Sequence, residues 1–205
     1  LHRVVVFANS KGVPELPFSA LDSDDPEALW SWMATSRDKG ATLLAIPHNG
    51  NASDGLMFSL ETRSGKPLSK AYIETRTANE PLYEISQIKG TSETSPDLSP
   101  NDEFAGFEQW DYTLSADTER PTHRKGSFAR QAYLDGLSLA RDGRGNPFRF
   151  GLIGDSDTHN AAAHTVANLP AQDISEEVLI EKYAKGDERS IDAVNQRVAR
   201  ALAQA

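Results

Sequence analysis

The chain has 205 residues, 38% of them hydrophobic and 25% charged, a balance that suits one ordinary globular domain, or a large piece of one, with enough length to bury a core. Its formal net charge of −9 argues against nucleic acid as the main partner, because a phosphate backbone is bound by a basic face that displaces counterions. The absence of cysteine excludes disulfides, zinc–thiolate centres and thiol nucleophiles, so any metal must be held by nitrogen and oxygen.

No apolar run approaches the roughly 20 residues that cross a bilayer. No secretory signal opens the chain, and a soluble protein of this composition suits the cytoplasm or an oxidising periplasm equally. The chain begins on Leu1, with a strand-like run two residues later, which reads as a cut or processed end and a missing N-terminal part.

In chain order, RVVVFA (3–8) is β-branched and aromatic and reads as a strand. DPEALWSWMATSRDKG then predicts a helix, with Asp25 as N-cap, Pro26 at the first helical position, Leu29, Trp32 and Met33 on one face, and Gly40 past the end. ATLLAIP (41–47) and LYEISQI (82–88) read as further strands. The stretches 49–80 and 89–125 are polar and rich in turn formers, too long for plain connections, and read as loops bordering a site or as partly disordered segments. GSFARQAYLDGLSLARDG predicts a second helix, with Ser127 as N-cap, a stripe of Ala129, Ala132, Tyr133, Leu137 and Ala140, and Gly143 as a stop. FRFGLIG (148–154) is the fourth strand, and 176–185 and 191–203 are two C-terminal helices whose apolar stripes read as packing surfaces.

Strand, helix, strand order predicts an α/β fold of parallel strands with right-handed crossover helices, so that all strand ends point one way. Ligand-type residues gather at those ends: His48 in PHNGN after the second strand, Glu84 within the third, and DSDTH directly after the fourth. In extended backbone Asp157 and His159 leave on the same side and could chelate one ion, with His48 adding a third ligand. A carboxylate beside imidazoles suits zinc, manganese or iron, which lower the pKa of bound water toward about 7. Against this stand blander readings: Asp157 as a loop cap beside a solvated His159, and Glu84 as a structural partner in place of a support behind the metal ligands.

LAIPHNGN and GDSDTHN, with PLYEISQIKGTSE and NDEFAGFE, resemble the polymerase and histidinol phosphatase (PHP) superfamily, in its branch known as domain-of-unknown-function family 3604. The resemblance runs over roughly residues 2–160 and covers only the C-terminal part of such a domain, leaving 161–205 as an unassigned helical tail. It implies part of a distorted (β/α)7 barrel with two or three metal ions at the C-terminal strand ends, and phosphoesterase activity. It implies His48, Asp157 and His159 as ligands and leaves Glu84 near the site. The superfamily's His-x-His and Asp-His motifs are not in this chain and would lie ahead of Leu1; His2 does not replace them, and His164 reads as a solvated loop residue or an extra ligand.

ERPTHRKGSFAR places Arg120, His123, Arg124, Lys125 and Arg130 beside a predicted helix start, where phosphate would be welcome; the alternative is a solvated loop paired with nearby acids. The expectation is therefore a metal-dependent hydrolase acting on a small, phosphate-bearing molecule through metal-activated water. His48, Asp157 and His159 would hold divalent zinc, manganese or iron, Arg130 would orient the anion, and Glu84 would support from behind. The competing expectation is a non-catalytic fragment or binding module keeping only part of a metal site. Open strand edges in a partial barrel would favour self-association.

Overall fold

The computed structural model describes residues 2–114, 120–154 and 157. Its elements are β1 (Arg3–Phe7), α1 (Pro26–Asp38), β2 (Leu43–Pro47), a 3-10 turn (Gly50–Ala52), α2 (Lys70–Asn79), β3 (Leu82–Gln87), β4 (Gly90–Thr91), α3 (Ala129–Arg141) and β5 (Gly151–Gly154). The expected tail helices lie outside the described residues, as do Asp155, His159 and His164. Among the described residues no helix is long and apolar enough to cross a membrane.

Helix α1 starts as its sequence dictates: the Asp25 carboxylate accepts from the Glu27 amide at 2.9 Å, satisfying one of the orphan donors of the first turn. It buries Leu29, Trp30, Met33 and Ser36 against Leu43, Ala45 and the next helix, with Trp32 half-buried at the flank. Helix α3 also forms where expected, but its cap and its stripe differ. The residue before its first turn is Phe128, and the Ser127 hydroxyl accepts from the Gly55 amide at 2.7 Å and faces the His123 carbonyl at 3.3 Å, tying two loops together. The buried face is Ala129, Ala132, Gly136 and Leu139, while Leu137 is 63% exposed. Asn146 packs into the space above Gly136, where a Cβ would stand 2.1 Å from its Oδ1, and Tyr133 is half-buried against Phe150.

Helix α2 occupies a stretch that reads as loop, since its sequence KAYIETRTAN carries only two apolar residues able to mark a face. The Ser69 hydroxyl accepts from the Tyr72 amide at 3.1 Å to start it, Tyr72 and Ile73 enter the core, and Tyr72 meets Trp30 edge-on at 5.1 Å. The third core-facing position is Arg76, a charge that breaks the apolar period yet is buried.

The four expected strands are present, but not all are parallel. β3 and β5 are, from Leu82 opposite Gly151 to Ser86 opposite Gly154, with a register shift between Glu84 and Ser86. β1 and β2 instead run antiparallel, Arg3 opposite Pro47 and Phe7 opposite Leu43. The reason lies in the connection. The handedness rule applies when one helix returns the chain along the sheet. Here the segment between β1 and α1 is itself long enough to run back along a helix of about 20 Å, so the chain leaves and re-enters the sheet at the same end, where the Ala8 amide bonds the Thr42 carbonyl at 2.9 Å.

β4 adds a short antiparallel return to β3, giving two small sheets, β1-β2 and β4-β3-β5, with no closed barrel among the described residues. β2 nevertheless lies alongside β3. The Arg37 guanidinium crosses from α1 to bond the Asn79 side chain at 2.8 Å and the Leu43 carbonyl at 3.1 Å, and its burial lowers its pKa. One core packs α1 and α2 on β2; a second joins Met57, Phe58, Tyr83, Ala129, Ala132 and Phe148 between β3 and α3.

Candidate functional site

The chain leaves β2 through Pro47 and His48, then turns at Asn49, whose φ of 57° is left-handed, into the 3-10 turn. Gly50 is required there by a close approach: a Cβ would lie 2.1 Å from the Tyr83 Oη and 2.7 Å from the Ser127 carbonyl. Tyr83 is wholly buried in β3, so Gly50 lets the end of β2 rest on the neighbouring sheet. Asn51 locks the contact. Its amide donates to Ser92 Oγ at 3.2 Å, its Oδ1 accepts from that hydroxyl at 2.9 Å, and its Nδ2 donates to the Lys89 carbonyl at 2.8 Å. Gly50→Ala is accordingly expected to destabilise the fold by about 1–3 kcal/mol, the usual cost of overpacking, read as a lower denaturant midpoint at unchanged slope.

This loop presents His48, buried at 8% exposure, to Glu84 of β3, buried at 6%, with Nδ1 and Oε2 3.7 Å apart. Glu84 therefore faces the Nδ1 side of the imidazole. A second ring joins them because β1 is antiparallel: with Arg3 opposite Pro47, His2 falls next to His48. The His48 amide reaches the His2 carbonyl at 3.4 Å, the two rings meet edge-on at 5.6 Å, and the Asn49 side-chain amide is 3.4 Å from His2 Nδ1. Parallel strands would have put His2 at the opposite rim, which is why the sequence alone gave it no role.

Asp157 reaches the same rim by another route. Its carboxylate pairs with the Lys89 ammonium at 2.5 Å, in the turn after β3 whose carbonyl Asn51 holds, and Lys89 also donates to Gln87 Oε1 at 3.0 Å. The expectation of an extended Asp-x-His segment does not hold at Asp157, where φ is 48°, so the alternation that would align it with His159 is interrupted. Among the described residues no three of His, Asp and Glu are grouped so as to hold a metal ion.

Arg130, partly exposed, is held by two acids. Its guanidinium bonds Glu93 at 2.5 Å and Asp102 at 2.6 Å, and these acids raise its pKa. Arg124 is similarly taken by Asp97 at 3.2 Å and Asp111 at 3.1 Å. His123 is paired with Asp54 at 3.5 Å, and Asp54 accepts the amides of His123 and Thr122 at 2.6 and 2.7 Å. Burial pushes the Asp54 carboxyl up, and those amides, with the two side chains, outweigh it and hold the pKa low.

Beside His2 opens a cleft of about 570 Å³, lined by His2, Arg3, Asn49, Tyr72, Arg76 and Arg120 among others. Beneath it lies a buried charge group. Glu80 accepts from Arg3 Nε at 2.5 Å and from Trp30 Nε1 at 2.9 Å, and faces Arg76 Nε at 3.3 Å, with all three charged side chains at most 4% exposed. Arg76 also lies over the Phe148 and Phe58 rings, 5.0 and 5.8 Å from their centroids, and donates to the Met57 carbonyl at 2.9 Å.

The family described as "Protein of unknown function (DUF3604)" matches residues 1–185. The chain belongs to the DUF3604 family. No curated protein and no solved structure matches it. The family match runs past residue 160, where the resemblance in the sequence was expected to fade.

Within this DUF3604 chain the residues that sequence reasoning missed are His2, Arg3, Arg76 and Glu80. One signal for them was present. Glu80 directly precedes Pro81 and the third strand, and Arg76 sits four residues earlier, the spacing at which a helical Arg and a following Glu face each other.

Proposed function

We propose that this DUF3604 protein is a metal-dependent hydrolase, specifically a phosphoesterase, built on part of a PHP-type (β/α)7 barrel. The observation that carries the reading is His48, buried at a strand end with a carboxylate 3.7 Å from Nδ1 and a second imidazole at its edge. A carboxylate at one nitrogen fixes the ring's tautomer and orientation and strengthens the other nitrogen as a donor. Imidazole nitrogen with carboxylate oxygen is the donor chemistry of zinc, manganese or iron. His48, Asp157 and His159 would hold it, with Glu84 bracing His48. The ion, when bound, supplies Lewis acidity and lowers the pKa of water.

The protein's own part is positional. Gly50 and Asn51 fix the His48 loop on β3, Glu84 orients the imidazole, and Lys89 balances the Asp157 carboxylate at the rim. Arg130 has no part in this reading, because Glu93 and Asp102 occupy its guanidinium. Release of nitrophenol from nitrophenyl phosphate and bis-nitrophenyl phosphate, with added Mn²⁺ or Zn²⁺, tests it. Turnover is expected in the wild type and a fall of at least tenfold in Asp157→Ala; equal turnover in the two would reject the assignment.

The Lys89–Asp157 ion pair favours a second reading, a binding module that keeps a partial metal site without catalysis. Metal content by mass spectrometry separates them: more than one ion per chain supports the hydrolase, one or none the module.

A further inference from the structure

We propose that the cleft beside His2 is the anion subsite of this protein, taking the phosphate group of a small organic ester on Arg3 and Arg120. The inference rests on the phosphoesterase reading only for the identity of the ester; the anion site itself stands on the geometry of the cleft. Arg3 is the floor. Its side chain is 4% exposed, its Nε is committed to Glu80, and it lines the cleft, with no other hydrogen bond to its guanidinium among the described residues. A guanidinium offers five donors, so a group held by one of them keeps the rest for a ligand. Arg3 and Arg76 together place two positive charges against the single charge of Glu80, which leaves the floor positive by one in a partly desolvated setting.

The acids of the cleft do not cancel this charge at its base. Asp24 is ion-paired with Arg63 at the exposed edge, Asp54 is held by the Thr122 and His123 amides, and Glu61 is exposed at the rim. Arg120 also lines the cleft, is exposed, and has no acidic partner among the described residues. Asn49 lines the same cleft and belongs to the loop that carries His48, so an anion seated here lies next to the proposed metal-binding end of β2. Leu56 and Leu114, both on the cleft and both partly exposed, offer an apolar wall for the organic part of the ester. Guanidinium groups bind carboxylate and phosphate through paired N–H donors, and two arginines line this cleft.

The test is a calorimetric titration of the full chain with inorganic phosphate in the presence of a chelator, so that metal-held phosphate does not contribute. Saturable binding is expected in the wild type, weakened at least fivefold by Arg120→Ala and at least tenfold by Arg3→Gln. Arg120 is exposed and its variant should keep the fold, so the result does not depend on Arg3→Gln folding. Absence of saturable binding to the wild type, or binding that survives Arg120→Ala and is lost in Arg130→Ala, would overturn the assignment. Loss of phosphatase turnover with intact phosphate binding would instead count against the metal reading and leave the cleft assignment standing.

Discussion

Glu80→Gln is expected to cost about 3–5 kcal/mol of folding stability, the range seen when one partner of a buried charge group is removed and the other is left uncompensated. The substitution keeps size and can still accept from Trp30 Nε1, so it removes charge and little else. What remains is two guanidinium groups, Arg3 and Arg76, in side chains at most 4% exposed. Arg76 has its ring faces and the Met57 carbonyl to fall back on; Arg3 has Glu80 as its one acidic partner among the described residues. Guanidinium does not lose its proton to escape the penalty. Urea unfolding of both proteins measures the difference, and a loss under about 1 kcal/mol, as for an exposed pair, would show that water reaches the group.

The same group sets an acid limit on the fold. Burial pushes the Glu80 carboxyl up, but the charges of Arg3 and Arg76, with bonds from Arg3 and Trp30, outweigh burial and hold its pKa below the ordinary 4.5. A carboxyl whose folded pKa is depressed contributes stability that is fully present above its unfolded value and is lost as pH falls through the folded one. Wild-type stability should therefore decline on acidification below about the ordinary carboxylate pKa, and the Glu80→Gln protein should decline less steeply over that window. Parallel acid profiles for the two would remove Glu80 from the account.

Much of the local structure was legible and the long-range arrangement was not. Asp25-Pro26 and the β-branched runs announce α1 and the strands because capping and alternation are local physics. Helix α2 stayed hidden because one of its inward positions is Arg76, which an apolar-period rule reads as outward. The direction of β1 could not be read, since the handedness rule presumes a short return and the segment before α1 is long. That error carried into the site: with parallel strands neither His2 nor Arg3 would lie beside the end of β2, whereas His48 and Glu84 meet. Arg130 was read both as an anion-orienting group and as part of a loop paired with nearby acids, and its pairing is what the structure shows. A basic cluster in sequence says nothing about where Glu93 and Asp102 will lie, and they surround it.

On the proposed metal-site reading, Glu84→Gln is expected to lower metal affinity and turnover by about 10–100-fold, the usual effect of removing a carboxylate that orients a ligating histidine. The argument turns on what the substitution leaves intact. Glutamine keeps the volume of a side chain buried at 6% exposure in β3, so Tyr83, Gly50 and the loop on which His48 stands need not shift. What changes is the partner 3.7 Å from His48 Nδ1, which becomes neutral and no longer favours one tautomer of the ring by charge. His48→Ala removes the donor itself and should reduce turnover by more than the Glu84 variant does. The ordering separates support from structure. If Glu84 only stabilised the strand, its variant would lose melting temperature and keep its metal affinity, whereas a supporting carboxylate loses affinity, by chelator competition, with little change in melting.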